Sequence, residues 1–180
     1  MNYHKIEKTS IANGEGIRVV LWVSGCSLHC RGCQNPQSWS FNSGKPFDAM
    51  AKKELFEALD KDYIQGITFS GGHPLEDANV KEIYELMVEV KERFPEKDIW
   101  LYTGYTWDYI FHRAITDNFD FERDQIIDYQ KKIVSMCNVV VDGKYIEELR
   151  NLTLKWRGSS NQRVIDVQKS LTKGEVMLWE

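Results

Sequence analysis

Four short apolar runs, each leading straight into a loop of polar and small residues, constrain this chain more than any other feature. They are Arg18–Val23 (RVVLWV) and residues 66–69 (GITF), 99–103 (IWLYT) and 138–141 (NVVV). Uninterrupted apolar runs of this length belong to strands covered on both faces. Helical patterns alternate with them. Residues 49–60 place Leu55, Phe56 and Leu59 on one side. Residues 77–94 repeat Val80, Ile83, Tyr84, Met87 and Val90 at three- and four-residue spacing, with Asp77 as the expected N-cap and Pro95 as the stop. Residues 107–115 read as a helix broken at 117–120, and residues 124–135 as another. Further strands are expected at 163–167 and 176–179. Strands alternating with helices predict an α/β fold with a mostly parallel sheet and right-handed crossovers. Ligands of such sheets sit outside the carboxyl ends of the strands. Four loops from separate parts of the chain are thereby expected to meet at one mouth.

The first of those loops, VSGCSLHCRGCQN, carries Cys26, Cys30 and Cys33. Three thiolates at this spacing suit three irons of a [4Fe–4S] cluster, for which a full protein set is four. The remaining cysteine, Cys137, is far along the chain, so one iron would stay open to a ligand that is not protein. Zinc is the main alternative. Structural zinc takes four protein ligands, and His29 inside the loop is the available fourth, awkwardly placed for chelation. Cys137 abuts an apolar strand and reads as a core thiol.

At 180 residues the chain is expected to form one domain, residues 1–180, with a sizeable core. Its net charge of −4 argues against a nucleic-acid partner, which requires a basic face. Charge is nonetheless uneven. Residues 144–173 hold seven Lys or Arg against three acids, a solvated face or a docking surface for an acidic partner. No stretch reads as a signal peptide or a membrane span, and cysteines without a secretory signal point to the cytoplasm.

Other segments admit two readings. Gly14-Glu15-Gly16 precedes a strand rather than following one, which rules out a dinucleotide loop. Arg18 either carries charge toward the mouth or flanks its strand. Asp142 and Lys144 either serve the site or make a turn with Gly143, and Ser159, Ser160, Asn161 and Gln162 either line a groove or form an ordinary loop. Trp22, Trp100 and Trp156 read as packing residues.

The cysteine loop after the first strand, with Ser70-Gly71-Gly72-His73-Pro74 after the second, resembles the radical S-adenosylmethionine superfamily. That resemblance implies an incomplete, open βα barrel and a cluster whose open iron binds S-adenosylmethionine. One electron then cleaves the cofactor to methionine and a 5′-deoxyadenosyl radical. The segments NGEGIRVV and CQNPQSW are similar to activating enzymes of glycyl radical proteins. YTGYTW, VVDGKY and RGSSNQRVID narrow the resemblance to the activators of anaerobic ribonucleoside-triphosphate reductase.

By this resemblance Cys26, Cys30 and Cys33 ligate iron, and Gly32, Cys33, Gln34, Gly71 and Gly72 contact the cofactor, with Thr103 and Gly104 beside them. No catalytic side chain is implied beyond cluster and cofactor. The implied partners are the glycyl radical subunit of the reductase and a one-electron donor such as flavodoxin. His73 departs from the family, which has Asp or Glu at that position. It either contacts the cofactor through its unprotonated nitrogen or is a surface residue. Two alternatives are activation of another glycyl radical enzyme, such as pyruvate formate-lyase, and a non-catalytic zinc or iron–sulfur module.

Overall fold

The computed structural model describes residues 1–113 and 120–179. Its strands are β1 (Asn2–Ser10), β2 (Arg18–Val23), β3 (Lys45–Pro46), β4 (Gly66–Gly71), β5 (Asp98–Tyr102), β6 (Val139–Asp142) and β7 (Arg163–Asp166). Its helices are α1 (Ala49–Leu59), α2 (Val80–Arg93), α3 (Trp107–Phe111), α4 (Phe121–Met136) and α5 (Val167–Lys173). The strands form one seven-stranded sheet in the order β3-β1-β2-β4-β5-β6-β7. The sheet is open, with β3 and β7 at its edges.

The expected α/β class is present, but the sheet is mixed rather than mostly parallel. The central strands β2, β4, β5 and β6 run parallel. β1 is antiparallel to β2 and β3, and β7 is antiparallel to β6. Crossovers through α1, α2 and the α3–α4 segment force the central strands parallel, whereas β7 returns after a long helix-poor connection and runs the other way. Residues 176–179 make no strand of their own, only a bridge from Leu178 to Ile165. The helix expected from Asp77 begins at Val80, because residues 74–79 are tied into turns by the hydrogen bonds Glu76 N–H to His73 O and Asn79 N–H to Glu76 O. The helix expected over 107–115 ends at Phe111 with His112 as its C-cap, and residues 114–115 and the break at 117–119 lie outside the described residues. α4 begins at Phe121, three residues before the expected start, capped by Asp120, whose carboxylate accepts from the Arg123 N–H.

The strand alternation builds two apolar faces. Val19, Leu21, Val23, Ile67, Phe69, Ile99, Leu101 and Val140 face α1, α2 and α4, whose Leu55, Leu59, Ile83, Met87, Val90 and Ile133 are buried against them. The opposite face carries Trp100, Val139, Val141 and Val164, with Trp156 and Trp179 packed edge-on to Trp100 at 5.1 and 5.9 Å. Arg18 lies buried on this face at the amino end of β2. Its guanidinium donates to the Ile67 carbonyl at 3.0 Å, to Thr68 Oγ1 at 2.9 Å and to the Asp98 carboxylate. Arg18 therefore braces the floor between β2, β4 and β5, away from the mouth.

Candidate active site

A cavity of about 360 Å³ opens at the carboxyl ends of β2, β4, β5 and β6. It is lined by Cys26, Cys30, Cys33 and Gln34 after β2, by Gly71 at the end of β4 with Gly72 and His73 after it, and by Thr103 and Gly104 after β5. Gly143 and Tyr145 after β6 and Arg157, Gly158 and Gln162 ahead of β7 also line it. The antiparallel direction of β7 brings this last group to the mouth, since its leading end lies where the other strands finish. The convergence expected from four separate loops is present.

The cysteine loop is pinned from several sides. Cys26 N–H donates to the Trp39 carbonyl at 3.0 Å, and Gly25 N–H to that of Ser38 at 2.8 Å. The glycine loop grips it from below: Gly72 N–H donates to Val23 O at 2.8 Å and His73 N–H to Gly25 O at 2.7 Å. A Cβ on Gly72 would stand 2.6 Å from the Gly25 carbonyl oxygen, and Gly71 has φ of +104° with Val23 backbone 2.7 Å from its missing Cβ. The glycine pair is thus required by the close approach of two backbones, whatever it does for a ligand. The Asn79 amide stitches the same loops, donating to Ser24 O at 2.9 Å and His73 O at 3.2 Å. Asn79, rather than the expected Asp77, occupies the N-cap position of α2, yet its side chain makes no capping bond.

The sulfurs sit among hydrogen-bond donors. Asn35 N–H points at Cys33 Sγ from 3.3 Å. Burial pushes the Cys26 thiol up, the backbone N–H groups of Leu28 and His29 pull it down, and the Glu76 charge adds to the rise. Burial likewise pushes Cys30 up, opposed by the Lys144 ammonium and the Tyr145 N–H. Donors aimed at sulfur are what an anionic cluster ligand needs, and such bonds tune a cluster's potential. Among the described residues no three His, Cys, Asp or Glu side chains converge on the position of one metal ion. Thiolates that each hold a different iron of a cluster do not have to converge in that way. The donor set, three soft sulfurs on one cavity wall, fits an iron–sulfur cluster.

His73 is 1% exposed, so it is no surface residue. Its Nδ1 lies 3.1 Å from Glu76 Oε1 and its Nε2 2.8 Å from Thr103 Oγ1, while its ring meets Tyr105 edge-on at 4.4 Å. Both ring nitrogens therefore have protein partners. Glu76 Oε1 also accepts from Ser27 N–H and Ser27 Oγ–H, each at 2.8 Å. Sequence reasoning passed over Ser27, Glu76 and Asn79. The available signal was an acid three residues after a histidine in a loop, the spacing at which two side chains meet across one turn.

Asp142 is buried, accepting from the Trp107 N–H at 2.8 Å and from Arg163 Nε at 3.0 Å, which makes it a structural anchor for α3 and β7. Lys144 is exposed at the rim. Gln162 is a hub of the loop ahead of β7: its carbonyl oxygen accepts from Gly158 N–H at 2.9 Å and its amide donates to Gly143 O at 3.0 Å. Trp22 and Trp156 line the cavity as well as packing, while Trp100 is wholly core. Cys137 is fully buried, as its setting beside a strand implied.

Residues 12–165 match the family model described as a 4Fe-4S single cluster domain. The anaerobic ribonucleoside-triphosphate reductase-activating protein of Escherichia coli K12 is 39% identical over 166 residues, 91% of this chain and 97% of the relative. The protein of the same name from Enterobacteria phage T4 is 42% identical over 164 residues, covering 91% and 93% of the two chains. That from Haemophilus influenzae is 38% identical over 164 residues, covering 90% and 96%. The chain belongs to the 4Fe–4S single cluster domain family and, within it, to the anaerobic ribonucleoside-triphosphate reductase-activating proteins.

Proposed function

We propose that this protein is a radical S-adenosylmethionine oxidoreductase that installs the glycyl radical of an anaerobic ribonucleoside-triphosphate reductase. The observation that carries the reading is the meeting of Cys26, Cys30 and Cys33 with the Gly71-Gly72 pair in one cavity wall, in a chain whose relatives bear the reductase activator's name. Cys26, Cys30 and Cys33 would hold a [4Fe–4S] cluster, which when bound would supply the electron for reductive cleavage of S-adenosylmethionine and so the power to take a hydrogen atom from a glycine of the partner.

The chain's own residues prepare that chemistry. Cys26, Cys30 and Cys33 give up their protons and hold iron, with Asn35 N–H donating to one sulfur. Gln34, Gly71, Gly72, Thr103 and Gly104 wall the space beside the cluster, and the glycines there leave room for a cofactor, whereas Gly32 lies outside the cavity lining with its missing Cβ against the Glu147 carboxylate. Trp22, Tyr102 and Trp156 form an aromatic side of the cavity that keeps water from a reactive intermediate. The sheet is open, with β3 and β7 at its edges, which supports the reading of an incomplete barrel whose mouth admits a loop of a partner protein. The electron donor in this reading is a low-potential protein such as flavodoxin. The compartment is the cytoplasm, where thiols stay reduced, and no helix of the described residues is long and apolar enough to cross a membrane.

The test is reconstitution with iron and sulfide under anaerobic reducing conditions, followed by S-adenosylmethionine and candidate glycyl radical proteins. A glycyl radical EPR doublet on the ribonucleotide reductase, with 5′-deoxyadenosine released, is the expected result. It is lost on changing Cys26, Cys30 or Cys33 to Ala. A doublet on pyruvate formate-lyase alone would reassign the target. A colourless, zinc-loaded protein that leaves S-adenosylmethionine intact would overturn the reading.

A further inference from the structure

Glu76 is 6% exposed, lies outside the cavity wall, and still reaches the two loops that form it. One oxygen, Oε1, collects Ser27 N–H, Ser27 Oγ–H and His73 Nδ1 at 2.8, 2.8 and 3.1 Å. Ser27 directly follows Cys26, and His73 directly follows the glycine pair. The carboxyl is held below the usual carboxylate range: burial would raise it, but the bonds from His73 and Ser27 outweigh burial. A buried negative charge thus stands against the residue that directly follows the first cysteine of the loop. His73 backs this charge from the far side and is itself fixed by Thr103 Oγ1, which takes the Tyr105 N–H at 3.1 Å. The chain Ser27, Glu76, His73, Thr103 runs from the cysteine loop to the end of β5; Ser27 is exposed, and Glu76, His73 and Thr103 are buried.

We propose that Glu76 is a positioning and charge-setting residue for the cluster, which clamps Ser27 and makes the cluster on Cys26, Cys30 and Cys33 harder to reduce. The inference rests on the proposed cluster but not on the identity of the partner or on cofactor cleavage. The couple concerned is the addition of one electron to the oxidised cluster, supplied in the test by dithionite through redox mediators. Net charge and hydrogen bonds near the sulfurs set such a potential. A carboxylate disfavours the more negative, reduced form. Ser27 opposes this by spreading the carboxylate's charge into two donors, so the two residues act with opposite sign.

Potentiometric titration followed by the EPR signal of the reduced cluster, without S-adenosylmethionine or partner, reads this directly. Glu76→Gln removes the charge while keeping an acceptor for Ser27, and its midpoint is expected to rise. The expected size is on the order of tenfold in the reduced-to-oxidised ratio at fixed potential, or ~59 mV for one electron. Glu76→Asp, which keeps the charge, is expected to stay nearer the parent. Ser27→Ala removes a donor from the carboxylate, and its midpoint is expected to fall. A general loosening of the loop would move both variants the same way. Shifts of one sign in Glu76→Gln and Ser27→Ala, or a midpoint unchanged in both, would overturn the proposal. Should Glu76→Gln fail to hold a cluster, Ser27→Ala and Glu76→Asp decide it by the sign and size of their own shifts. Parent protein that forms no cluster at all would instead remove the functional reading on which this rests.

Discussion

Gly72 and Gly25 lie back to back, so close that a Cβ on Gly72 would stand 2.6 Å from the Gly25 carbonyl oxygen and 3.0 Å from its nitrogen. The obstructing atoms are backbone and cannot swing aside as a side-chain tip would. Gly72→Ala must therefore push the cysteine loop away from β4, breaking the bond from His73 N–H to Gly25 O. The expected loss of stability is ~1–3 kcal/mol, the usual cost of overpacking a close contact. The better diagnostic is iron: Gly72→Ala should retain less iron and sulfide per chain than the parent after reconstitution. Full loading with unchanged thermal stability would show that the two loops part freely.

The floor of the sheet offers a test of a different kind. Arg18 is fully buried, and its charge is met by the Asp98 carboxylate, whose side chain is 23% exposed. Removing one partner of such a pair leaves the other charge uncompensated. Asp98→Ala is expected to cost ~3–5 kcal/mol, read as a lowered midpoint in urea unfolding with little change in slope. A shift below ~1 kcal/mol would mean that the carbonyls of Ile67 and Glu15 suffice to hold the guanidinium.

How much of this could be read from the sequence follows from what each signal encodes. RVVLWV, GITF, IWLYT and NVVV are buried on both faces, so composition alone marks them as strands, and their loops were legible as one site for the same reason. β1 escaped notice because NYHKIEKTS is largely polar and buries only Tyr3 and Ser10 fully; pairing with β2 makes it a strand. α5 is seven residues long, too short for periodicity to register. The direction of β7 is a property of the path taken by residues 143–162, which no local pattern records. In the site, cysteine spacing was decisive because chelation constrains neighbours in sequence. Glu76, Ser27 and Asn79 act across the gap between two loops, and their value exists only once β2 and β4 pair in register, Val23 beside Gly71.

Cys137 gives a prediction that separates core thiol from cluster ligands. It is fully buried, its Sγ–H donates to Ile133 O at 3.2 Å, and burial pushes its thiol far above the ordinary range. The thiolate is the reactive form. In reduced protein stripped of iron, iodoacetamide should label Cys30 and Cys33, which are partly exposed, while Cys137 reacts only after unfolding. Cys137→Ala should leave the cluster's EPR signal unchanged. Rapid labelling of Cys137 in the folded protein would show that α4 opens locally.

Acid sensitivity is the last consequence of the Glu76 network. In the unfolded chain a glutamate has a pKa near ~4.3. In the folded chain the bonds from His73 and Ser27 outweigh burial and hold Glu76 lower. Between the two values the unfolded state binds more protons than the folded one, so stability falls as pH falls. The contribution is complete above the ordinary carboxylate range and is lost as pH drops through the lowered folded value. Glu7 is shifted the same way: burial raises it, but bonds from Lys5 and Trp22 prevail, at a more exposed site where solvent screens the effect. Glu76→Gln should therefore be less stable than the parent at neutral pH and yet lose less stability on acidification from ~pH 5 to ~pH 3. Glu7→Gln should change that slope by a smaller amount. Urea unfolding midpoints across this range supply the measurement, and an acid limb equally steep in Glu76→Gln and the parent would place the responsible carboxylate elsewhere.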